Sequence, residues 1–518
     1  MARFTSLVIV SMLVFLGTHR TFAAEQQAVD PIFKKGEISN VNIEIDEADF
    51  QEMLDNPLEE EFKEGTVTYN GITIGYTGVR VKGNSSLSSV ARSDSNRYSF
   101  KLEFNKYIEQ NLEGYTKINL NNNFADPSYM REYLTYDVLE KMGLETPNYS
   151  YVNVSINGEH YGLYLAVENI EDPYLERNFG NVTGNLYKAD TGASLTWEDG
   201  MSIDETSLIL KSGRKNHTKL LEFIEALQEG KDIESYFDID QYLRYLAVST
   251  VMANMDSYQG TMNHNYYLYE QDGKFTFLAW DHNMSIGGMM GQDENAQKEM
   301  LIDEPTMGAV KNYPLVDYVL SNNEYKEQYH SYVQQTVDLL KDLESQVDAL
   351  KLLIGDDVKK DPTAFYSYEE FLSNIGDQSV DGYPGIVGFM KGRLEHVQQQ
   401  LDGEIPSYVN GEGISSGRMP VNMAATENEE RPEGMPAMGN GEMPEGMPAM
   451  GGRGGMPEGM PDMGGGGMPW GREGNQDANY QDQRKELFTV AISLVLLFGS
   501  ILFVSRFRRY QGHRRLSK

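Results

Sequence analysis

The feature that most restricts how this chain can fold is a long segment, 406–486, that cannot build a packed core. It is poor in Leu, Ile, Val and Phe and dominated by Gly, Met, Pro and Glu, with Met-Pro pairs at irregular spacing. Proline interrupts helices and central strands, and glycine loses much conformational entropy on folding. We therefore predict that 406–486 is a disordered Gly/Met/Pro-rich low-complexity stalk, and that the folded domain precedes it.

Two apolar segments mark the ends of the chain. Residues 1–23 combine a basic start, an apolar run and a small-residue cleavage site, which predicts a secretory signal peptide. Leu487–Val504 is a run of 18 residues without a charge, long enough for one transmembrane helix. Residues 505–518 carry six basic side chains and no acidic one, which predicts a cytoplasmic tail. We therefore expect a single-pass cell-membrane protein with an extracytoplasmic domain.

Charge and cysteine content exclude several function classes. The chain has 44 basic and 78 acidic residues, a formal net charge of −34, and no cysteine. Such acidity argues against a nucleic-acid partner, since phosphates need a cationic surface. The absence of cysteine excludes disulfides, thiolate metal sites and a cysteine nucleophile.

The remaining sequence predicts an α+β domain over 38–405, preceded by a lead-in over 24–37. Alternating apolar and polar residues predict strands in the first half, whereas the pattern becomes helical after about residue 215. Strands are predicted at 41–45, 66–69, 78–82, 98–104, 117–120, 151–156 and 162–168. Helices are predicted at 126–142, 217–228, 239–255, 325–353 and 368–400, with a hairpin of 265–270 and 274–280 between them.

Oxygen-bearing side chains are concentrated around that hairpin. Asp256 follows a predicted helix, Asn265 opens the first strand of the hairpin, and Asp281 closes the second. Hairpin pairing would bring Asn265 and Asp281 to the same end, where they suit a hard cation such as Mg²⁺. The alternative, with even weight, is that these residues are turn, cap and solvated strand-end residues.

Several segments resemble, in order, the CotH (spore coat protein H) kinase family, over roughly residues 38–400. The matching segments are Val79-Arg80-Val81-Lys82-Gly83-Asn84-Ser85-Ser86, Tyr98–Phe104, Asp126-Pro127-Ser128 through Arg131, Asn157-Gly158 with Tyr161–Tyr164, Glu168, Asp256, Asn265–Tyr269 and Trp280-Asp281-His282-Asn283.

The resemblance implies an atypical two-lobed protein-kinase-like fold that transfers the γ-phosphoryl group of ATP to protein serine with Mg²⁺ or Mn²⁺. Phosphoryl transfer depends on positioning and charge neutralisation. The resemblance implies Lys101 as a ligand of the ATP phosphates and Asp256 as the residue that orients or deprotonates the acceptor hydroxyl. It implies Asn265 and Asp281 as metal ligands.

Four further residues receive expected roles from the same resemblance. Glu168 is expected to frame the nucleotide at the hinge between lobes, and Arg131 to reach the phosphates, although a structural ion pair is an equal alternative for Arg131. Lys82 stands where the family usually has Arg, and is expected to bind nucleotide. Asn283 stands where the family usually has a second Asp, and is expected to be a metal ligand without charge. No glycine-rich phosphate loop of the protein-kinase type precedes Lys101, and Gly83-Asn84-Ser85-Ser86 is the nearest candidate for a backbone phosphate nest.

The predicted function is therefore that of an atypical serine kinase for surface or spore-coat proteins, with Ser/Lys/Arg-rich substrates. One alternative is a catalytically silent kinase-like surface protein that serves as a structural or interaction module, because ATP is scarce outside cells. Another is a carbohydrate-binding or metal-binding module of the cell envelope.

Overall fold

A computed structural model describes residues 30–289 and 293–414. The predicted signal peptide, the transmembrane segment 487–504, the basic tail and the stalk beyond residue 414 lie outside these residues. The described strands are β1 (Ser39–Ile45), β2 (Lys63–Tyr69), β3 (Ile72–Lys82), β4 (Ser99–Glu103), β5 (Lys117–Asn121), β6 (Tyr149–Ile156), β7 (Glu159–Glu168), β8 (Asn185–Ala189), β9 (Leu208–Ser212), β10 (Tyr266–Gln271) and β11 (Lys274–Ala279).

The helices of the described residues are mostly in the second half of the chain. They are α1 (Glu47–Asp55), α2 (Ser85–Val90), α3 (Arg131–Lys141), α4 (Asp172–Phe179), α5 (Thr218–Glu229), α6 (Ile233–Tyr236), α7 (Ile239–Val251), α8 (Glu294–Lys298), α9 (Pro314–Ser321), α10 (Asn323–Leu339), α11 (Leu343–Lys360), α12 (Tyr368–Ile375) and α13 (Ile386–Leu401). The mixed α/β composition agrees with the predicted class.

The first seven strands form a closed barrel in the order β1-β2-β3-β4-β5-β7-β6. Parallel pairing of β1 with β6 closes the barrel, and the other pairs are antiparallel. Successive side chains of a strand point to opposite faces, so alternate residues such as Val81, Phe100 and Leu120 fill the barrel. Their neighbours therefore form its outer face.

A second hydrophobic core lies outside the barrel. It joins α3 and most of the later helices to a four-stranded sheet of order β11-β10-β8-β9. Strands β6 and β7 contribute to both cores, because Val152 and Tyr164 face the barrel interior while Tyr151 and Leu163 pack on the second core. These two strands therefore connect the barrel to the helical part of the domain.

All seven strands predicted before residue 170, and the later hairpin, are present. The predicted helix 126–142 instead begins at Arg131, because Tyr129 has a left-handed backbone with φ of 59°. Here Asp126 accepts hydrogen bonds from the N–H groups of Ser128 and Arg131 and so stabilises a turn before the helix.

The predicted long helices are each divided. The prediction 368–400 was wrong across 376–385, where Gly382 and Pro384 interrupt the helical pattern between α12 and α13. The prediction 325–353 was wrong at Leu340–Asp342, which separates α10 from α11. The helix predicted to reach residue 255 ends at Val251, which leaves Asp256 in a loop.

Residues flanking the predicted domain also pack on it. In the lead-in, Ile32 and Phe33 are buried in the barrel core. At the other end, the N–H groups of Val409 and Gly413 donate to the buried carboxylate of Glu304. Packed structure therefore extends at least to Ile414, past the predicted start of the stalk. Within the described ranges, no helix has the length and apolar character needed to cross a membrane.

Candidate active site

The hairpin of β10 and β11 brings three predicted site residues together. Tyr266 pairs with Ala279, so Asn265, which precedes β10, and Asp281, which follows β11, lie at the same end of the hairpin. Asp256 reaches this end from the loop between α7 and β10, where Asn265 contacts it directly. The charge of Asp281 acts on Asp256. Two carboxylates and one amide therefore share one end of a rigid hairpin.

Asp256 is held by two neighbours from its own loop. Asn265 Nδ2 donates to Asp256 Oδ2 at 3.1 Å, and His264 Nε2 lies 3.7 Å from Asp256 Oδ1. Burial raises the pKa of Asp256 to about 6, with a further increase from the charge of Asp281 and an opposing effect of His264. A carboxylate with a raised pKa is a better proton acceptor than an ordinary surface aspartate.

Asp281 has an unusual backbone and an available carboxylate. Its φ is 59°, in the left-handed region that costs energy for most residues other than glycine, and Asn265 has a φ of 58°. The backbone N–H of Asp281 points to Tyr136 Oη at 3.4 Å. In the described ranges its carboxylate has no hydrogen bond or ion pair. Both oxygens are therefore free to accept a ligand.

The loop that carries Asp256 is fixed by buried polar contacts. The side chain of Asn254 lies 2.9 Å from Nδ1 of His282, and its Oδ1 accepts from the N–H of Asp256 at 3.2 Å. Gln259 Nε2 donates to the carbonyl of Asn254 at 2.8 Å. Burial lowers the pKa of His282 to about 3, so its imidazole is neutral. These contacts connect the Asp256 loop to the segment after β11.

Lys82 faces Asp281 from the outer surface of the barrel. Its Nζ donates to Asn121 Oδ1 at 3.0 Å, while Asn121 Nδ2 donates to Glu132 Oε2 at 2.9 Å. Burial lowers the pKa of Lys82, and burial together with the charge of Asp281 raises the pKa of Glu132 to about 8. Asn121 thus connects a lysine of β3 to a glutamate of α3.

Lys101 lies on the same outer face, paired across β3 and β4 with Arg80. Burial lowers the pKa of Lys101 to about 7. Repulsion from Arg80, Lys117 and Lys82 also lowers this pKa, and attraction by Glu171 offsets only part of the total decrease. Among the residues the structure describes, the side-chain amine of Lys101 has no hydrogen bond or ion pair. A largely buried amine without a direct partner can be stabilised by a bound anion.

Two predicted nucleotide ligands are placed elsewhere. Glu168 points to the barrel side, where it accepts hydrogen bonds from the N–H of Asn148 at 2.9 Å and from Arg177 at 2.6 Å. Arg131 is fully buried and pairs with Asp126 at 2.6 Å. Both residues have partners from the domain itself, so the structure gives them the geometry of structural ion pairs. For Arg131 this is the alternative that the sequence left open.

Asn283 lies in the turn that follows Asp281 and is partly exposed. In the described part of the chain, no group of three or more His, Asp or Glu side chains forms a complete metal cage. Asp281 and Asn265 therefore supply only part of a coordination shell. A magnesium ion commonly takes few protein ligands and completes its shell with water and phosphate oxygens.

The sequence pattern described as "CotH kinase protein" matches residues 79–397. The chain belongs to the CotH kinase family. This match covers more than half of the chain and contains Lys82, Lys101, Asp256, Asn265 and Asp281, and thus the whole cluster described above.

Individual relatives come from bacteria and fungi. Inner spore coat protein H of Bacillus subtilis is 24% identical over 326 residues, covering 60% of this chain and 84% of the relative. Invasin CotH3 of Rhizopus delemar is 23% identical over 346 residues, covering 60% of this chain and 54% of the invasin. Among solved structures, the Helicobacter pylori proinflammatory kinase CtkA is 9% identical with a TM-score of 0.27, covering 64% of this chain and 92% of that one.

Sequence reasoning missed three residues of this CotH domain's site. Asn121 and Glu132 carry no motif of their own, and the strand order that brings β5 next to β4 was needed to find Asn121. His264 directly precedes Asn265 in the sequence, and this position could have indicated that it lies in the site.

Proposed function

We propose that this protein is an ATP-dependent atypical protein kinase that transfers the γ-phosphoryl group to serine. The observation that supports the proposal is one juxtaposition. Lys82 and Lys101 lie on the outer face of the barrel, where the charge of Lys82 acts on Lys101 and the charge of Asp281 acts on Lys82. Asp281 shares one end of the hairpin with Asp256 and Asn265. Cations for phosphates, oxygens for a metal and a candidate base are the parts that phosphoryl transfer requires.

Asp256 is the candidate for the acceptor hydroxyl. With its pKa raised to about 6, mainly by burial, it is ionised at neutral pH and can accept a proton or a hydrogen bond from a serine hydroxyl. Asn265 keeps its carboxylate in one orientation through the 3.1 Å hydrogen bond. Positioning of this kind accounts for much of the rate gain in phosphoryl transfer.

The donors fit a nucleotide with a divalent metal. Asp281 has a carboxylate without a partner among the described residues, and Asn265 adds a neutral amide oxygen. Mg²⁺ or Mn²⁺ bound there would neutralise charge on the phosphates. Lys101 and Lys82 would bind phosphate oxygens. Attraction between these oxygens and the protonated amine of Lys101 would offset the cost of burying its charge.

The acceptor is proposed to be a surface or spore-coat protein. The Bacillus relative is a spore coat protein, and the net charge of −34 favours cationic partners, which agrees with Ser/Lys/Arg-rich acceptors. The proposed setting is the outer face of the cell membrane, with the chain anchored by residues 487–504. The proposed acceptor is supported by the similarity to the Bacillus relative and by the net charge, and the proposed location by the apolar segment 487–504 of the sequence.

The test is transfer of ³²P from [γ-³²P]ATP by the full-length protein, with Mg²⁺ or Mn²⁺, to itself or to a serine-rich basic acceptor. Asp281→Asn preserves size and removes one charge, and it should lower transfer at least 100-fold. Asp272→Asn is the matched control, because Asp272 is exposed at the other end of the hairpin with a positive φ that Asn tolerates. Absence of both transfer and ATP binding by the wild type would favour the silent interaction module.

A further inference from the structure

Lys188 brings an ammonium group close to the cluster from β8 of the four-stranded sheet, where the charges of Lys82 and Asp281 act on it. It lies on β8, paired with Tyr267 of β10, and its Nζ lies 6.0 Å from the centre of the Tyr267 ring. Tyr267 in turn packs edge to face on Trp280, which directly precedes Asp281. The stem of Lys188 is therefore held on the same hairpin that positions the acidic residues.

The charge environment of Lys188 is unbalanced. Burial lowers its pKa, and the positive charges of Lys82 and Lys211 lower it further, against attraction by Asp281 and Asp190. In the residues covered by the structure, Lys188 makes no hydrogen bond or ion pair, and the ring of Tyr267 at 6.0 Å is a weak partner. A half-buried ammonium near a second lysine needs an anion to offset desolvation.

Lys82 is the common neighbour of the three lysines. Its charge acts on Lys101 within the barrel surface and on Lys188 across from it. An ion pair between Lys188 and Asp281 would occupy the carboxylate that also acts on Lys82, with Glu132 still acting on Lys82 and Glu171 on Lys101. A ligand with several negative charges would compensate all three ammonium groups at once, whereas a single carboxylate would not.

We infer that Lys188 is a further phosphate-binding residue, which contacts the terminal phosphates of the bound nucleoside triphosphate from the helical part of the domain. The inference rests on the proposed kinase function. Lys188 would compensate for the lack of a glycine-rich loop before Lys101, because a cation from the opposite side restrains the phosphates where backbone N–H groups otherwise would. Its nearness to Asp281, the proposed metal ligand, places it at the terminal end of the phosphate chain rather than at the nucleoside.

The experiment compares Lys188→Met with Lys188→Arg in the full-length protein. Methionine keeps the apolar stem that packs near Tyr267 and removes only the charge, whereas arginine keeps the charge. Lys231→Met is the matched control, since Lys231 is an exposed lysine that follows α5 and pairs only with Glu229 among the described residues. Binding of ATP, ADP, AMP and inorganic tripolyphosphate, each with Mg²⁺, is measured by calorimetry.

We expect Lys188→Met to weaken ATP and tripolyphosphate at least tenfold, to weaken ADP less, and to leave AMP unchanged. Lys188→Arg should restore most of the loss, and Lys231→Met should match the wild type. Equal affinity of Lys188→Met and wild type for ATP, or an equal loss for AMP, would overturn the assignment. If Lys188→Met fails to fold, Lys188→Gln replaces it with the same expected losses.

The same titrations separate this inference from the kinase proposal. A wild type that transfers phosphate while Lys188→Met binds ATP normally would refute the role of Lys188 alone. A wild type that binds tripolyphosphate through Lys188 but never transfers phosphate would refute the kinase proposal and leave the phosphate site standing.

Discussion

Asn265 Nδ2 donates one hydrogen bond to Oδ2 of Asp256 at 3.1 Å and another to the backbone carbonyl of Asp256 at 3.0 Å. The two bonds close the loop between α7 and β10, so the residue proposed as a metal ligand also orients the residue proposed as the base. The amide Oδ1 of Asn265 accepts nothing from the described residues, which leaves it available to a cation.

This shared role predicts strongly coupled effects of substitution. Asp256→Asn and Asn265→Ala should each lower kcat at least 100-fold, whereas the double variant should be little slower than the slower single variant. The measurement is steady-state phosphoryl transfer by the full-length protein. Effects that simply multiply would show that Asp256 and Asn265 act independently.

Most of the barrel could be predicted from the sequence because several of its strands alternate apolar and polar residues. Val79, Val81, Phe100 and Leu102 face inward, and the residues between them are polar. The closing contact could not be predicted in this way, because pairing of β1 with β6 joins segments about a hundred residues apart and depends on shape rather than on local pattern. Strands β8 and β9 were missed for a related reason, since both are short and β8 pairs with β10, about eighty residues further along the chain.

The candidate site shows the same division. Asn265 and Asp281 could be brought together from the sequence, because a hairpin has a fixed register. The roles of Arg131 and Glu168 could not be predicted in this way, because they depend on which distant groups pair with each buried charge in the folded domain. Arg131 bonds to Asn374 and to the carbonyl of Pro384, more than 240 residues away, and no local pattern encodes that contact.

Lys101 predicts a pH-dependent affinity for nucleotide. Burial lowers its pKa to about 7 in the free protein, and phosphate binding favours the charged form and raises that pKa again. Binding of ATP above pH 7 must therefore take up a proton, and the Kd should rise by up to tenfold per pH unit above 7. Calorimetry at pH 8 in buffers of different ionisation enthalpy measures the uptake.

The variant Lys101→Met serves as the reference for this titration. It should bind ATP more weakly at pH 6.5 and show little of the proton uptake seen with the wild type at pH 8. Lys274→Met, at an exposed position of β11, should leave both quantities unchanged. Undiminished proton uptake by Lys101→Met would assign the titration to another group.

Arg131 allows its two expected roles to be separated. Because Arg131 is fully buried against Asp126 and Asn374, Arg131→Met should lower the free energy of unfolding by about 3–5 kcal/mol, as when one partner of a buried pair is removed. Affinity for ATP in the fraction that stays folded should be unchanged. Denaturant unfolding and ATP titration at low temperature measure both, with exposed Arg214→Met as the control. A weaker affinity for ATP with unchanged stability would instead support the role of Arg131 as a ligand of the ATP phosphates.

The segment 407–414 predicts that the folded domain is longer than its composition indicates. Glu304 is only 1% exposed, and its carboxylate accepts from the N–H groups of Val409, Asn410 and Gly413. Burial alone would raise the pKa of Glu304. The backbone hydrogen bonds have a larger combined effect in the opposite direction, so the pKa of Glu304 is lowered overall. The stabilisation is therefore present at neutral pH, above the pKa of the unfolded chain, and is lost as pH falls through the lower folded pKa.

Two changes test this contact. Glu304→Gln should lower the free energy of unfolding by about 1–3 kcal/mol at pH 7, because the amide is uncharged and one of its two polar groups is a donor facing other donors. The difference from the wild type should shrink as pH falls through the lowered pKa of Glu304 in the folded chain. A chain that stops after residue 405 should lose at least as much stability, whereas one that stops after residue 414 should retain it. Denaturant melts at pH 7 and pH 3 measure these values, with exposed Glu299→Gln as the control. Equal stability of the two truncated chains would mean that the segment adds nothing to the domain and that the stalk begins where composition placed it.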